Sequence, residues 1–484
     1  MLRSVLRFNL IIVAVSVIVR ADSQSNVTFD EFVDFTFGNF LKLSGGAIGS
    51  ALTTPTDIVT EVLLKDKCDE GSEPDACRDV PRIIRARGFD VEEHSVITRD
   101  GYILTIHRVV NPLIKDRDNL EPVILNHGLL TCSVDWVFAS TDVRPVAWPR
   151  SKRRRNDDLS LDDRKNPRSL AYYLANEGYD VFLANSRGNT YARQHINKSM
   201  FESTFWDFSY DQQIDYDLPD TIDYVRNLTN HKKVAFVGHS QGNTIMFGLM
   251  AVRQDYADIV EPFFALAPTV FIHNIKAIDY KIVATLEPFI QNVRSKYLAG
   301  KLSRFVLRKM CQLSDCRGII YRMLGRDPLG VDLKRIQAIL HQIPAGTSLR
   351  NLVHFLQGSR ARNFTRFNYG LAENKLRYGQ ALPPIYDLSR IRSKSIVLFD
   401  SESDILADHM DVELLISSLR VKPYKRYTVS RNTPSGLFNH AHFLYGHLQG
   451  VLINRRIVNI LNHFREARKK LPSKAPNEGP PSAT

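Results

Sequence analysis

The sequence predicts an α/β fold, a mostly parallel central sheet with helices on both faces and a helix-rich insertion. Three observations carry this. Short apolar runs bounded by turn residues recur along the chain: Val123 to Leu125, Val181 to Ala184, Val234 to Val237, Phe263 to Leu266 and Ile396 to Phe399. Such runs read as strands buried on both faces, the mark of a parallel sheet. Helix-like segments lie between them, Ser169 to Gly178, Tyr216 to Leu228 and Asn243 to Arg253; strand–helix alternation puts helices on both faces. From Val270 to about Arg392 the alternation gives way to a helix-rich stretch and resumes at Ile396, as expected of an insertion between two strands.

Taken in order, the chain opens with Arg3 and Arg7, the apolar run Leu10 to Val19, and small residues at Val19 and Ala21. This predicts a secretory signal peptide over 1–21, cut before Asp22; an uncleaved anchor or a buried strand is the alternative. Residues 22–78 show no clear period and read as an N-terminal extension of unknown role. Alternation over Glu93 to Thr98, a turn at Asp100-Gly101 and alternation over Tyr102 to His107 predict a β-hairpin. The sheet-forming unit is then expected over 79–270 and 391–466, with the insertion at 271–390. A last helix is expected from about Leu452 to Lys470. The segment 467–484, rich in Lys, Pro and Ser, reads as a disordered tail; it carries neither a KDEL signal nor an apolar stretch for a lipid anchor.

Composition narrows the function. With 484 residues, 44% hydrophobic and 24% charged, the chain is of ordinary globular make-up and long enough for a large core. The run at Leu10 to Val19 is short of the roughly 20 residues of a membrane helix. The formal charge of +12 falls to +9 without the signal peptide. The basic run Arg150, Lys152, Arg153, Arg154 and Arg155 is followed by Asp157, Asp158, Asp162 and Asp163. That blocky, aromatic-poor pattern argues a solvated loop and against nucleic-acid binding; a furin-like processing site is the sharper alternative. Of five cysteines, Cys68 with Cys77 and Cys311 with Cys316 are close enough to close small loops in an oxidising compartment. Cys132 is left over and reads as a buried free thiol. Asn26, Asn197, Asn227 and Asn363 head glycosylation sequons.

The chemistry concentrates at Gly238-His239-Ser240-Gln241-Gly242. It stands between a strand and a helix, the context of a G-x-S-x-G nucleophile elbow. The glycines at 238 and 242 permit a turn that lifts the Ser240 hydroxyl above the sheet edge. The turn also sets the Gln241 N–H at a helix N-terminus, towards a developing oxyanion. A serine hydroxyl needs a base oriented by a carboxylate, which in this arrangement follow in the order acid, then histidine. Four acids compete after the strand at Ile396 to Phe399: Asp400, Glu402, Asp404 and Asp408. After a further strand near Tyr424 to Val429, His440 and His442 compete for the base. In His127-Gly128-Leu129, Gly128 allows close backbone approach and leaves the Leu129 N–H as a second oxyanion donor.

These strings resemble the acid lipases, the family of gastric and lysosomal acid lipase and their insect relatives. Beyond the elbow, the resemblance rests on Asp100-Gly101-Tyr102-Ile103-Leu104, His127-Gly128-Leu129, Asn185-Ser186-Arg187-Gly188-Asn189-Thr190, Tyr216-Asp217-Leu218-Pro219, Ala265-Leu266-Ala267-Pro268 and Pro344-Ala345-Gly346-Thr347-Ser348. They run in order from about Asp79 to Arg465. The resemblance implies an α/β-hydrolase fold with an inserted cap and lid. The family's D-x-L-A pattern selects Asp404, its N-H-x-D-F pattern selects His440, and Cys311–Cys316 falls where the family carries a cap disulfide. His442 departs from the family, replacing the acid of N-H-x-D-F, and the basic stretch between Arg150 and Arg168 is longer than usual.

The expected function is a serine ester hydrolase acting on neutral lipid esters, such as triacylglycerols or cholesteryl esters, through an acyl-enzyme on Ser240, Asp404 and His440. No metal or cofactor is called for. The expected partner is a lipid ester at a lipid–water interface, with membrane or lipid-droplet contact and a secreted or lysosomal location. A non-catalytic hydrolase-fold binding protein and an esterase for small soluble esters are the alternatives; fold alone does not choose among them.

Overall fold

The computed structural model describes residues 73–148, 160–277, 338–431 and 437–470, together with 297–298, 300, 303–305, 307–308 and 335. The signal peptide, Asn26, Cys68, Cys311, Cys316 and the basic run Lys152 to Arg155 lie outside the described residues.

The hairpin forms as predicted: β1 (Asp90–Ile97) pairs antiparallel with β2 (Tyr102–Val110), Ile97 opposite Ile103. The turn needs Gly101, whose φ is +95°. There follow β3 (Glu121–Asn126), β4 (Tyr179–Leu183), β5 (Gln194–His195), β6 (Val234–His239) and β7 (Val260–Leu266). Later come β8 (Tyr297–Leu298), β9 (Thr347–Ser348), β10 (Ile396–Ser401) and β11 (Lys425–Val429). The main sheet has the order β1-β2-β4-β3-β6-β7-β10-β11, with β5 beside β2. From β4 to β11 neighbours are parallel, whereas β2 joins β4 antiparallel. β8 and β9 pair separately between β7 and β10, which are themselves adjacent.

Successive side chains of a strand face opposite ways, and the core divides accordingly. Val123, Leu125, Val181, Leu183, Val237, Phe264, Leu266, Val397 and Phe399 pack on one side. Ile124, Phe182, Phe236, Phe263, Ala265, Ile396 and Leu398 pack on the other. This is why the runs lack polar alternation: both faces are covered.

The helices differ from the sequence reading mainly at their starts. Helix Leu170–Asn176 begins at Ser169 and stops before Gly178, whose φ is +73°. Helix Leu218–Thr229 continues directly from a π-turn, Gln213–Asp217, with Pro219 in its first turn; proline cannot donate to the regular helical ladder, and the irregular turn lies just ahead of it. Helix Gln241–Val252 starts two residues before the expected Asn243, because Ser240 itself is its N-cap.

Both outer boundaries shift. The turn Pro74–Cys77, assigned to the N-terminal extension, belongs to the folded body. Its Asp75 is fully buried and paired with Arg87, Arg78 and Arg335, and Ala76 joins the core. At the other end, helix Arg455–Lys470 ends at Lys470, where the last helix was expected to end, so 467–470 belong to it and not to the tail.

Three separate sequence strings meet in one buried ion network. Arg187 is 1% exposed and donates to both oxygens of Asp100 at 2.6 and 2.8 Å. Its Nε donates to Asp217 at 2.7 Å, its backbone N–H to the other oxygen of Asp217 at 3.0 Å, and its guanidinium lies 3.9 Å from the Tyr102 ring centre. Removing one partner of a buried pair strands the others. Arg187→Leu is therefore expected to cost about 3–5 kcal/mol, read as a lowered denaturant midpoint; a change below about 1 kcal/mol would show that the network is not structural.

Candidate active site

β6 delivers Ser240 into a turn with φ 53° and ψ −120°, its N–H bonded to the Leu266 carbonyl at 3.1 Å. A non-glycine residue at such a φ is held there at a cost of roughly 1–3 kcal/mol. The two glycines make the turn possible by close approach. A Cβ at 242 would lie 2.7 Å from the Asn126 carbonyl oxygen, and one at 238 would lie 2.4 Å from Asn243 Oδ1.

Among the four competing acids, the hydrogen bonds sort the roles. Asp404 is 1% exposed; its Oδ1 accepts the N–H groups of Leu406 and Ala407 at 2.8 and 3.0 Å, and its Oδ2 meets His440 Nδ1 at 2.9 Å. Asp400 is taken up by Arg426, His409 and Thr428. Asp408 caps helix His409–Ser418 and pairs with Lys276, and Glu402 accepts from Ser430 and Arg431. With the Nδ1 proton of His440 on a carboxylate, the neutral ring has its Nε2 lone pair free to accept.

The loop after β3 is held through His127. Its Nε2 accepts the Ser186 N–H and the Asn189 amide, each at 3.0 Å, so the proton sits on Nδ1, which donates to the Gly128 carbonyl at 2.8 Å. Burial pushes this imidazole down to about 4, keeping that tautomer neutral. Thr131 donates to the same carbonyl at 3.0 Å. In a planar trans peptide the next N–H points opposite the carbonyl, so the pinned Gly128 carbonyl fixes the direction of the Leu129 N–H. Gly128 lies against Ser240; a Cβ there would be 3.1 Å from the Ser240 Cβ.

Two known family descriptions match this chain, "Partial alpha/beta-hydrolase lipase region" over residues 80–140 and "alpha/beta hydrolase fold" over 121–260. Among curated proteins, the chain is 33% identical to gastric triacylglycerol lipase of Bos taurus over 72% of this chain and 83% of that one. It is 31% identical to lipase member J of Homo sapiens over 76% and 94%, and 29% identical to lipase 1 of Drosophila melanogaster over 84% and 82%. The chain belongs to the acid lipase family of α/β-hydrolases. It is a carboxylic ester hydrolase.

In this acid lipase several contributors to the site were not legible from local pattern. The Gln241 side chain exchanges hydrogen bonds with Asn351 of helix Leu349–Arg360, at 3.1 and 3.2 Å, tying the elbow to the insertion. The Leu130 carbonyl accepts the Ala345 N–H at 2.6 Å, so the Pro344-Ala345-Gly346 string sits on the loop after β3. The His239 ring lies against that of His440, tilted by 46° with ring centres 4.7 Å apart, and donates from Nε2 to the His440 backbone carbonyl at 3.2 Å. Burial and the neighbouring His440 hold the His239 imidazole well below its ordinary range. That residue was in view in the elbow string; its partner was not.

His442 is buried, and its Nδ1 accepts the Asn439 N–H at 2.8 Å, beside the Phe438 ring. The ring thereby closes the turn that carries His440, a role a carboxylate oxygen at this position could also fill. Cys77 is disulfide-bonded, and Cys132 is free and buried, its thiol pushed up to about 12 by desolvation. Asn197, Asn227 and Asn363 are exposed. Among the described residues no cluster of three or more His, Cys, Asp or Glu side chains is placed to hold a metal ion, and no helix is long and apolar enough to cross a membrane.

The hydrogen bonds separate two acids that local pattern alone leaves equivalent. Asp404→Asn is expected to lower kcat on the order of 10⁴, through the wrong imidazole tautomer. Asp400→Asn should lower the melting temperature while keeping kcat within a few-fold. Steady-state kinetics and thermal melts on both variants check this, and equal kcat losses would contradict it.

Proposed function

We propose that the chain hydrolyses neutral lipid esters, triacylglycerols or cholesteryl esters, through an acyl-enzyme on Ser240. The observation that carries the reading is the Asp404–His440 hydrogen bond, formed in the fold that also sets Ser240 in its strained turn. His440 Nε2 takes the Ser240 proton as Oγ attacks the ester carbonyl carbon. Asp404 stabilises the resulting imidazolium and holds its tautomer. The carbonyl oxygen becomes an oxyanion that the N–H groups of Leu129 and Gln241 receive; one such donor is worth about 10²–10³ in rate. Collapse breaks the ester C–O bond, and His440 returns the proton to the leaving alcohol. Water, deprotonated by the same imidazole, then cleaves the acyl-enzyme and restores Ser240.

Support for the oxyanion assignment is the clamp on the Gly128 carbonyl by His127 and Thr131. Support for a lipid substrate comes from the relatives, two of them named gastric triacylglycerol lipase in Bos taurus and Homo sapiens. Exposed apolar side chains at Leu371, Leu376, Leu382 and Ile385 suit contact with a lipid surface. The 271–390 insertion is read as cap and lid, a gating element of the kind that shields such sites. The secretory reading of residues 1–21, with a lysosomal location as its alternative, places the enzyme outside the cytosol.

Ser240→Ala is expected to abolish hydrolysis, a loss on the order of 10⁶, and to abolish labelling by a fluorophosphonate while the protein remains folded. Labelling of the parent at another residue would remove Ser240 from its role. A panel of emulsified triacylglycerol, cholesteryl ester and dissolved short ester should show preference for the emulsified classes; equal rates on dissolved ester would favour a simple esterase.

A further inference from the structure

The turn that carries the Leu129 N–H holds a shape its own residues do not favour. Over Gly128-Leu129-Leu130-Thr131 the Thr131 N–H bonds the Gly128 carbonyl at 3.4 Å, which closes a four-residue turn. Leu130 stands at its third position with φ 65°. A positive φ there is ordinarily taken by glycine or asparagine, because a Cβ crowds the backbone in the left-handed region. Were Leu130 to turn to negative φ, the turn would open. Thr131 would then carry its hydroxyl off the Gly128 carbonyl, the group that fixes the direction of the Leu129 N–H.

The restraint comes from the insertion. The Leu130 carbonyl accepts the Ala345 N–H at 2.6 Å. Ala345 is fully buried, so its own carbonyl must find donors inside the protein. They include the Thr190 hydroxyl at 3.1 Å and Arg193 Nη2 at 2.9 Å. Arg193 is itself aimed: its Nε donates to the Gly188 carbonyl at 3.4 Å, and Nη2 also reaches the Tyr297 hydroxyl, on β8, at 2.9 Å. Arginine suits the place because its planar fork offers several donors in fixed directions. One guanidinium thus joins the segment between β4 and β5 to two stretches of the insertion, β8 and the Pro344-Ala345-Gly346 string. That string has Leu130 on the N–H side of Ala345 and Arg193 on its carbonyl side.

We propose that Arg193 is a positioning residue for ester hydrolysis: by holding the Ala345 carbonyl it seats the insertion against Leu130 and keeps the Leu129 turn in its left-handed form. The proposal rests on the reading that the Leu129 N–H receives the oxyanion. It makes the oxyanion site depend on the seating of the insertion, over and above any shielding the insertion gives.

The test uses the full chain, a dissolved short ester and its thiono analogue, in which sulfur replaces the carbonyl oxygen. A site built for an oxyanion fits the larger sulfur poorly, so the oxo/thiono ratio of kcat reads that site. Arg193→Met keeps an unbranched apolar stem and removes the donors. It should lower kcat on the oxo ester about 10-fold, the scale of the cost of a left-handed residue that bears a Cβ. KM should stay within a few-fold, since oxyanion donors act in the transition state, and the oxo/thiono ratio should shrink. In a chain carrying Leu130→Gly, the same Arg193→Met should cost less than about 3-fold, because glycine takes a positive φ without penalty and needs no hold. Thr190→Val removes another donor to the Ala345 carbonyl and serves in the same two backgrounds if a thermal melt shows that Arg193→Met does not fold. An unchanged kcat in folded Arg193→Met overturns the proposal. So does an equal loss in both backgrounds, the mark of general damage rather than of a lost hold on Leu130. An oxo/thiono ratio near one in the parent would fail the oxyanion reading itself. That result is distinct from a large ratio that Arg193→Met leaves unmoved, which overturns the proposal alone.

Discussion

The arrangement depends first on a cation that cannot reach water. Arg187 is buried between Asp100 and Asp217 and lies over Tyr102. It joins the turn of the first hairpin, the segment after β4 and the π-turn before helix Leu218–Thr229. Its neighbours in sequence do the next part of the work: Asn189 and the Ser186 N–H hold His127, and Asn185 donates to the Thr105 carbonyl at 2.8 Å. A buried charge tolerates little displacement, since its partners lose more in a low dielectric than they would in water. The rigidity of that network therefore passes to the loop that presents Leu129.

A second constraint is steric. The turn at Ser240 brings helix Gln241–Val252 so close to the end of β3 that only glycine fits at 242. The same closeness brings Gly128 against Ser240. Ser240 and the loop after β3 are thus brought together by one packing requirement, and the strain at Ser240 is held by the surrounding sheet rather than by any local preference.

Burial then differentiates groups of the same chemistry. His127 and His239 are kept neutral by desolvation and serve as fixed hydrogen-bonding pieces. Neighbouring His440 meets a carboxylate at Nδ1. Among the acids, Asp400 is absorbed by Arg426, whereas Asp135, which forms no salt bridge among the described residues, is pushed up to about 6 by burial. Residue type offers each of these roles; the partner decides which is taken.

The sequence by itself determined the layered sheet, because doubly covered strands must be apolar throughout and their runs stand out between turn residues. It determined the elbow as well, since the strand, the two glycines and the helix start are contiguous. It narrowed the acid to four candidates and the base to two, and the family strings selected one of each. Tertiary structure alone decided what those groups touch. The Asp404–His440 bond, the Asn351 clasp on Gln241, the Arg187 network and the Asp135–Tyr445 bridge each join residues from separate stretches of chain. Such contacts leave no periodicity or spacing to read, because a hydrogen bond closed through folding is set by the packing of the elements that carry its two ends.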